Sequence, residues 1–380
     1  MGYHFADMSF TELGPLARAM RERWSEAVRV LADPDRFAEL GAWVAALPEP
    51  HGVDPALFTG RVEDPDVTLV WFLAQARPEL PPFFRGRPAE LQDLRLLFAD
   101  PARVMNGGAW AEEAARSARP EVLRALGSHE GAEEHAHLAR DLVRAEEEAL
   151  RVREELESQF VSWEGALLNV DRSLLVAFLL DGSLIRPPGI IGHDEFAHGW
   201  TRYLWSRVEG TSPSERTKRV GRAVAAYALM PKVRRLAHEH GELTMAIQGD
   251  VAHEWQMKDQ VNRRALLNFL KAVLPVSAVL LTVFGVMGIL SGPGEEVRGW
   301  VSLVLGWAAS AGTLVMTARG GYGTHTWLRW KALTKTADQV FERTPERVAA
   351  HIERIRVLED DLLRTGYAGP ASPYGLGPGR

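Results

Sequence analysis

The amino-acid sequence predicts an all-α protein. A cytoplasmic multi-helix region with a short coiled-coil-like helix should precede a C-terminal two-helix transmembrane hairpin. Three observations carry that expectation. Asp-Pro pairs stand ahead of apolar residues at helical spacing in the first 125 residues. A Glu-, Arg- and Ala-rich stretch with an apolar seam follows. Near the C-terminus, the runs 272–294 and 299–318 contain no charged residue.

The pairs are Asp33-Pro34, Asp54-Pro55, Asp64-Pro65 and Asp100-Pro101. An Asp side chain accepts from the free amides of a first helical turn. Proline fits the first helical position because its missing N–H has no partner there. Behind Asp33, the residues Phe37, Leu40, Val44 and Leu47 recur at helical spacing. The gaps between pairs are irregular, which predicts no solenoid repeat. The Pro-rich stretch 76–88, "ARPELPPFFRGRP", reads as a break between helices. An N-terminal helical domain over 1–127 is expected.

Residues 128–165 form the amphipathic, coiled-coil-like element. Leu138, Leu142, Ala145, Ala149, Val152 and Leu156 alternate at steps of four and three. Two readings stand: a helix packed on its own domain, or an intermolecular coiled coil. In the middle region, 166–255, Asp181-Gly182 between apolar residues signals a hairpin. Leu174–Leu180 reads alternatively as a short buried helix. Helical patterning from 194 onward should be interrupted at Pro231 and near Gly241 and Gly249. After a transmembrane region over 256–335, Thr344-Pro345-Glu346 should open a cytoplasmic helix within 336–366. Its stripe is Val348, Ile352, Ile355, Leu358 and Leu362, with Gly366 capping its end. The tail 367–380 lacks apolar content and is expected to be disordered.

A membrane-crossing helix needs about 20 apolar residues, and both charge-free runs reach that length, with spans near 272–291 and 299–318. Lys258, Arg263, Arg264 and Lys271 precede the first run. Arg319, Arg329, Lys331 and Lys335 follow the second, while the connecting loop holds Glu295 and Glu296 against Arg298. Cations collect on the cytoplasmic side, so both termini should be cytoplasmic at a bacterial inner membrane, with the Gly-Pro-Gly loop outside. Trp300, Trp327, Trp330, Lys271 and Arg319 are the expected interface anchors, although Trp327 would equally suit a soluble helix. Gly288/Gly292 and Gly306/Ser310 sit four apart and would let the two spans approach closely.

The rest of the chain has no motif that commits it to a reaction. It has no cysteine, which removes thiol nucleophiles, disulfides and Cys-ligated metals. A net charge of −6 argues against a dedicated nucleic-acid binder. No phosphate loop, dinucleotide fingerprint or nucleophile elbow occurs, and no cofactor is expected. His238, His240 and His253 are candidate zinc ligands if the chain turns back between them, but His238 and His240 diverge by about 200° on a continuous helix. A solvated helix end is the competing reading. In "HEGAEEHAH", His129, Glu133 and His137 would share one helical face, read as a solvated stripe. Asp194 in "HDEFAH" reads as first-turn charge. A basic segment comprises Arg216, Lys218, Arg219, Arg222, Lys232, Arg234 and Arg235, with no acid among them. It suits anionic lipid heads or an acidic partner, and lipid contact requires the helix to fold back at Gly241 or Gly249.

This layout, a long helix feeding a first span followed by an acidic outer loop and a second span, resembles that of CorA-type divalent-cation channels. Their Gly-Met-Asn signature has no counterpart here; the nearest residues are Gly285-Val286-Met287-Gly288. The expected function is a membrane-anchored, non-enzymatic helical sensor, adaptor or membrane-active effector. An oligomeric channel or transporter and a membrane-tethered metal hydrolase are the alternatives. The expected partners are the bilayer and either further copies of the chain or another protein.

Overall fold

A computed structural model describes residues 2–48, 52–189, 194–292, 295–318 and 324–367, without the side chains of 272, 316–318 and 324–330. Among the described residues fourteen α-helices dominate, with two short antiparallel strand pairs and three single 3-10 turns. The chain is all-α in class. It divides into two compact units, 1–237 with 360–380, and 238–359.

The first unit opens with β1 (Tyr3–Phe5) and β2 (Met8–Phe10), then α1 (Leu13–Glu22), α2 (Trp24–Ala32), α3 (Pro34–Ala45) and α4 (Pro65–Ala76). After β3 (Phe83–Phe84) and β4 (Arg87–Pro88) come α5 (Leu91–Leu97), α6 (Pro101–Met105), α7 (Ala109–Ser117) and α8 (Pro120–Leu126). Then follow α9 (Glu133–Gln159), α10 (Arg172–Leu180), α11 (Glu195–Glu209) and α12 (Arg216–Leu290), which continues into the second unit. There, α13 (Glu296–Ala318) and α14 (Thr324–Arg364) follow, and the last residues of α14 return to the first unit.

The Asp-Pro starts behave as their chemistry requires. Asp33, Asp64 and Asp100 each accept from two amides of the following first turn, with proline at its head. Asp54 accepts from one amide, that of Ala56, at the head of a 3-10 turn at Pro55–Phe58. At Asp64 burial works to raise the pKa, but the Arg119 guanidinium and the amides of Val67 and Asp66 outweigh it and hold the carboxyl below its usual range. Asp194 likewise caps α11, accepting from Phe196 and Ala197. The seam of α9 is buried along its length, with Leu142, Ala145, Ala149 and Leu156 fully covered by the first unit's own core. The seam of α9 therefore packs on its own unit, the first of the two readings.

Several expectations are corrected. Both strand pairs are absent from the sequence reading. Each closes through a two-residue turn with positive φ at both positions, Ala6 and Asp7 in one, Arg85 and Gly86 in the other. Such turns normally advertise themselves with Asn-Gly or Asp-Gly, and here they do not. Conversely Asp181-Gly182 makes no strand hairpin. Asp181 ends the buried helix α10 and its carboxylate accepts from the Ser183 amide 2.9 Å away, opening a 3-10 turn. Neither Pro231, Gly241 nor Gly249 interrupts α12, and α14 begins twenty residues before Thr344 and runs through Pro345. Both prolines are exposed. The carbonyl four residues back that loses its donor can therefore take water, and the packed opposite face holds the helix together. Gly366, at φ +80°, donates to Leu363 and lies just past the end of α14, the last helix among the described residues, as expected. The tail from 368 lies outside the described residues.

The first unit's core forms around two contiguous apolar clusters, one under β1, β2 and α1–α4, the other among α5–α12. Trp163 and Trp200 are fully buried and meet edge-to-face at 5.1 Å, a geometry favoured by the ring quadrupole. Gly221 marks the closest approach of α12 to α9: a Cβ there would stand 2.4 Å from the Ala145 carbonyl oxygen.

Candidate functional site

The segment with the most distinctive physical chemistry is the charge-free run of α12 in the second unit. Among the described residues α12 is the one helix long and apolar enough to cross a membrane, and only 11% of its 18-residue apolar window is buried. The apolar side chains point outward. Phe284 is 63% exposed, and Val276, Leu280 and Met287 are similarly bare. A core helix of this composition would be largely covered. Water contact along such a face is unfavourable at about 25 cal/mol per Å².

What α12 does bury in this region is its small-residue side, against α13. A Cβ added at Gly285 would lie 2.8 Å from the Leu303 amide nitrogen, one at Gly288 2.9 Å from Gly299 Cα, and one at Gly306 2.8 Å from Thr282 Oγ1. Gly312 faces the Leu274 side chain. As residue numbers fall along α12 they rise along α13, so the two helices run antiparallel at backbone contact. Of the four small residues singled out from spacing, Gly288 and Gly306 lie in this contact. Gly292 ends α12 at φ +103° with nothing near it, and Ser310 turns its hydroxyl to the Gly306 carbonyl, 2.8 Å away. Gly285, Gly299 and Thr282 were missed. Their steps of three on α12 (Thr282, Gly285, Gly288) and seven on α13 (Gly299, Gly306) were a legible signal that a search for four-residue spacing alone overlooks.

The expected anchors divide. Trp300 sits near the start of α13 and is exposed, and Lys271 is half-buried on α12 just before the run. Arg319 and the side chains of Trp327 and Trp330 lie outside the described residues.

The histidines do not converge. His238 pairs along its own helix with Glu242 and His240 with Glu359 of α14, each at 3.1 Å, while His253 is exposed. No cluster of three or more metal-ligating side chains occurs among the described residues. His129 precedes α9 instead of sharing a face with Glu133 and His137, and it is buried. Burial pushes its imidazole down to about 4, so the ring is neutral at neutral pH. His135, six residues on and inside α9, is buried too, with Nε2 at 2.9 Å from the Ala89 carbonyl oxygen.

The basic segment is not one surface. Arg222 turns inward, donating from Nε to Glu148 at 2.9 Å and from its guanidinium to Thr211 Oγ1 at 3.0 Å. Glu148 is 4% exposed and also receives Arg151; beside it Arg207 pairs with Glu155. Lys218 pairs with Glu215. Arg219 and Lys232 are half-buried, leaving Arg216, Arg234 and Arg235 exposed. Eighteen residues, five turns, separate Arg216 from Arg234 on the same side. The fold-back at Gly241 or Gly249 that lipid contact required is absent, because α12 is continuous there.

No protein-family model, curated protein or solved structure matches this chain.

Proposed function

We propose that α12 and α13 form a transmembrane hairpin that fixes a helical, non-enzymatic adaptor or effector module to a membrane. The observation that carries this reading is the outward display of the apolar window on α12. Backbone-close packing of α13 on its glycine side supports it, because helices that share a bilayer associate through small residues when lipid covers the rest. Two spans with cationic outer flanks keep both termini, and hence the first unit, on the cytoplasmic side. That unit would present its helical surface to protein partners there, with no bound cofactor.

Alkaline extraction of cell membranes containing the full chain tests the anchor. Retention in the pellet, with release only by detergent, is expected. Release of intact chain into the alkaline wash would overturn the reading.

A further inference from the structure

We propose that the first unit binds a small zwitterion with an apolar body, of the α-amino acid type. Its site is a cavity between the β3–β4 hairpin, α5 and α7. The proposal goes beyond the anchor reading and stands on the first unit alone, whether or not α12 and α13 cross a bilayer.

The cavity measures about 270 Å³, just under the roughly 300–1,000 Å³ that takes a drug-sized ligand, so its occupant is metabolite-sized. It opens where the two apolar clusters meet: Phe84 and Ala89 belong to the first, Leu94 to the second. Trp110 supplies an aromatic wall in a fixed orientation. Its Nε1–H donates to the Leu97 carbonyl at 2.9 Å, and the Arg103 guanidinium lies 3.8 Å from the ring centroid. Another wall comes from the Pro-rich stretch, folded here as a hairpin whose turn holds Arg85 at φ +52°. A non-glycine residue in that region carries strain, and such strain collects at functional sites.

Three charged side chains line this apolar base: Arg87, Asp93 and Glu113. Among the described residues the Arg87 guanidinium pairs with no acid, although both carboxylates share its cavity. Glu113 has one ion pair, to Arg85 at 3.8 Å, and Arg85 is committed more closely to Asp66 at 2.9 Å. Asp93 accepts from the Glu90 amide through Oδ2 at 3.0 Å, which fixes the carboxylate and leaves Oδ1 for another donor. These opposite charges, beyond ion-pair reach of one another around an apolar base, complement a ligand that carries both signs. The carboxylate of an amino acid takes the planar fork of Arg87. Its ammonium has three donors to share between Glu113 and Asp93, and its side chain lies against Leu94, Leu97 and Trp110. A purely anionic ligand would meet two carboxylates of its own sign, and a purely cationic one would leave Arg87 unanswered.

Isothermal titration calorimetry of the purified full-length chain tests the site with L-phenylalanine and L-leucine. Two truncated ligands run beside them: 2-phenylethylamine, which lacks the carboxylate, and 3-phenylpropionate, which lacks the ammonium. Saturable one-to-one binding of an amino acid is expected, with each truncated ligand weaker by about tenfold or more, the size of one lost charge-assisted bond. Arg87→Ala should weaken L-phenylalanine by a similar factor and leave 2-phenylethylamine unchanged. Glu113→Gln should weaken L-phenylalanine and spare 3-phenylpropionate. Near-UV circular dichroism confirms that each variant is folded. No saturable heat with either amino acid, equal affinity for whole and truncated ligands, or binding indifferent to both substitutions would overturn the proposal.

Discussion

The two units handle apolar residues in opposite ways. In the first, Trp163, Trp200, Phe178 and Leu142 are wholly covered by their neighbours. In the second, the largest apolar side chains of α12 stand outside while glycine, alanine and threonine hold the helix contact within. The first arrangement is the one that water drives, because burial of large apolar surface drives folding in an aqueous solvent; the second is the one that the proposed bilayer setting would favour. The lesson is that the packed side of a helix carries information about its surroundings: small residues at the contact with large ones outside is the pattern that motivates the proposed membrane setting.

The sharpest way to break this contrast is to change the exposed side of α12. Leu280→Arg with Phe284→Arg should abolish alkaline-resistant membrane association. A guanidinium at mid-span opposes insertion by about 2.5–3.5 kcal/mol each. Were the face simply wet, two exposed substitutions would shift stability by only about 0.5 kcal/mol and leave fractionation unchanged. A paired truncation sharpens the contrast further. Trp200→Ala should destabilise the first unit by about 3–5 kcal/mol, read as an earlier denaturant midpoint in near-UV circular dichroism. Trp255→Ala in the detergent-solubilised chain should leave that midpoint in place.

Protonation distinguishes the units more gently. Unfolded, His129 takes up a proton near 6.5, but buried it does so only near 4. Stability of the first unit is therefore intact above 6.5 and falls as pH drops toward 4, by up to roughly 3 kcal/mol. Urea midpoints measured across that window should decline, and His129→Gln should flatten the decline. The smallest effect belongs to an isolated cap. Asp33→Ala should lower first-unit stability by about 1 kcal/mol, measured by the same midpoint.

Much of this was legible in the sequence where local chemistry decides the outcome. Asp-Pro pairs place helix starts because the capping carboxylate and the missing N–H act within one turn. The seam from Leu138 to Leu156 located α9 and its buried face, though not whether that face met its own domain. The sequence misled where tertiary packing overrode a local signal. Pro231 read as a break and Pro345 as a helix start, yet each lies inside a continuous helix on an exposed side while the opposite side is held. Ala6, Asp7 and Arg85 adopt positive φ that no residue type among them announces. The basic segment looked continuous because a linear reading ignores that Arg222 and Arg234 leave the helix in different directions, one of them into buried Glu148. His238, His240 and His253 point in different directions from the continuous helix α12 for the same reason. The boundaries between the units fall inside α12 and α14, where no turn or composition shift marks them.

The measurement that bears most directly on the central claim is solvent accessibility along the charge-free run. Nitroxide labels at Val276→Cys, Leu280→Cys and Phe284→Cys in reconstituted vesicles would be read by collision with molecular oxygen, which concentrates in lipid, and with a water-soluble nickel chelate. The account predicts that oxygen collisions dominate at all three positions and that the chelate is excluded. Chelate collisions at the level of the labelled Gln260→Cys control would contradict it.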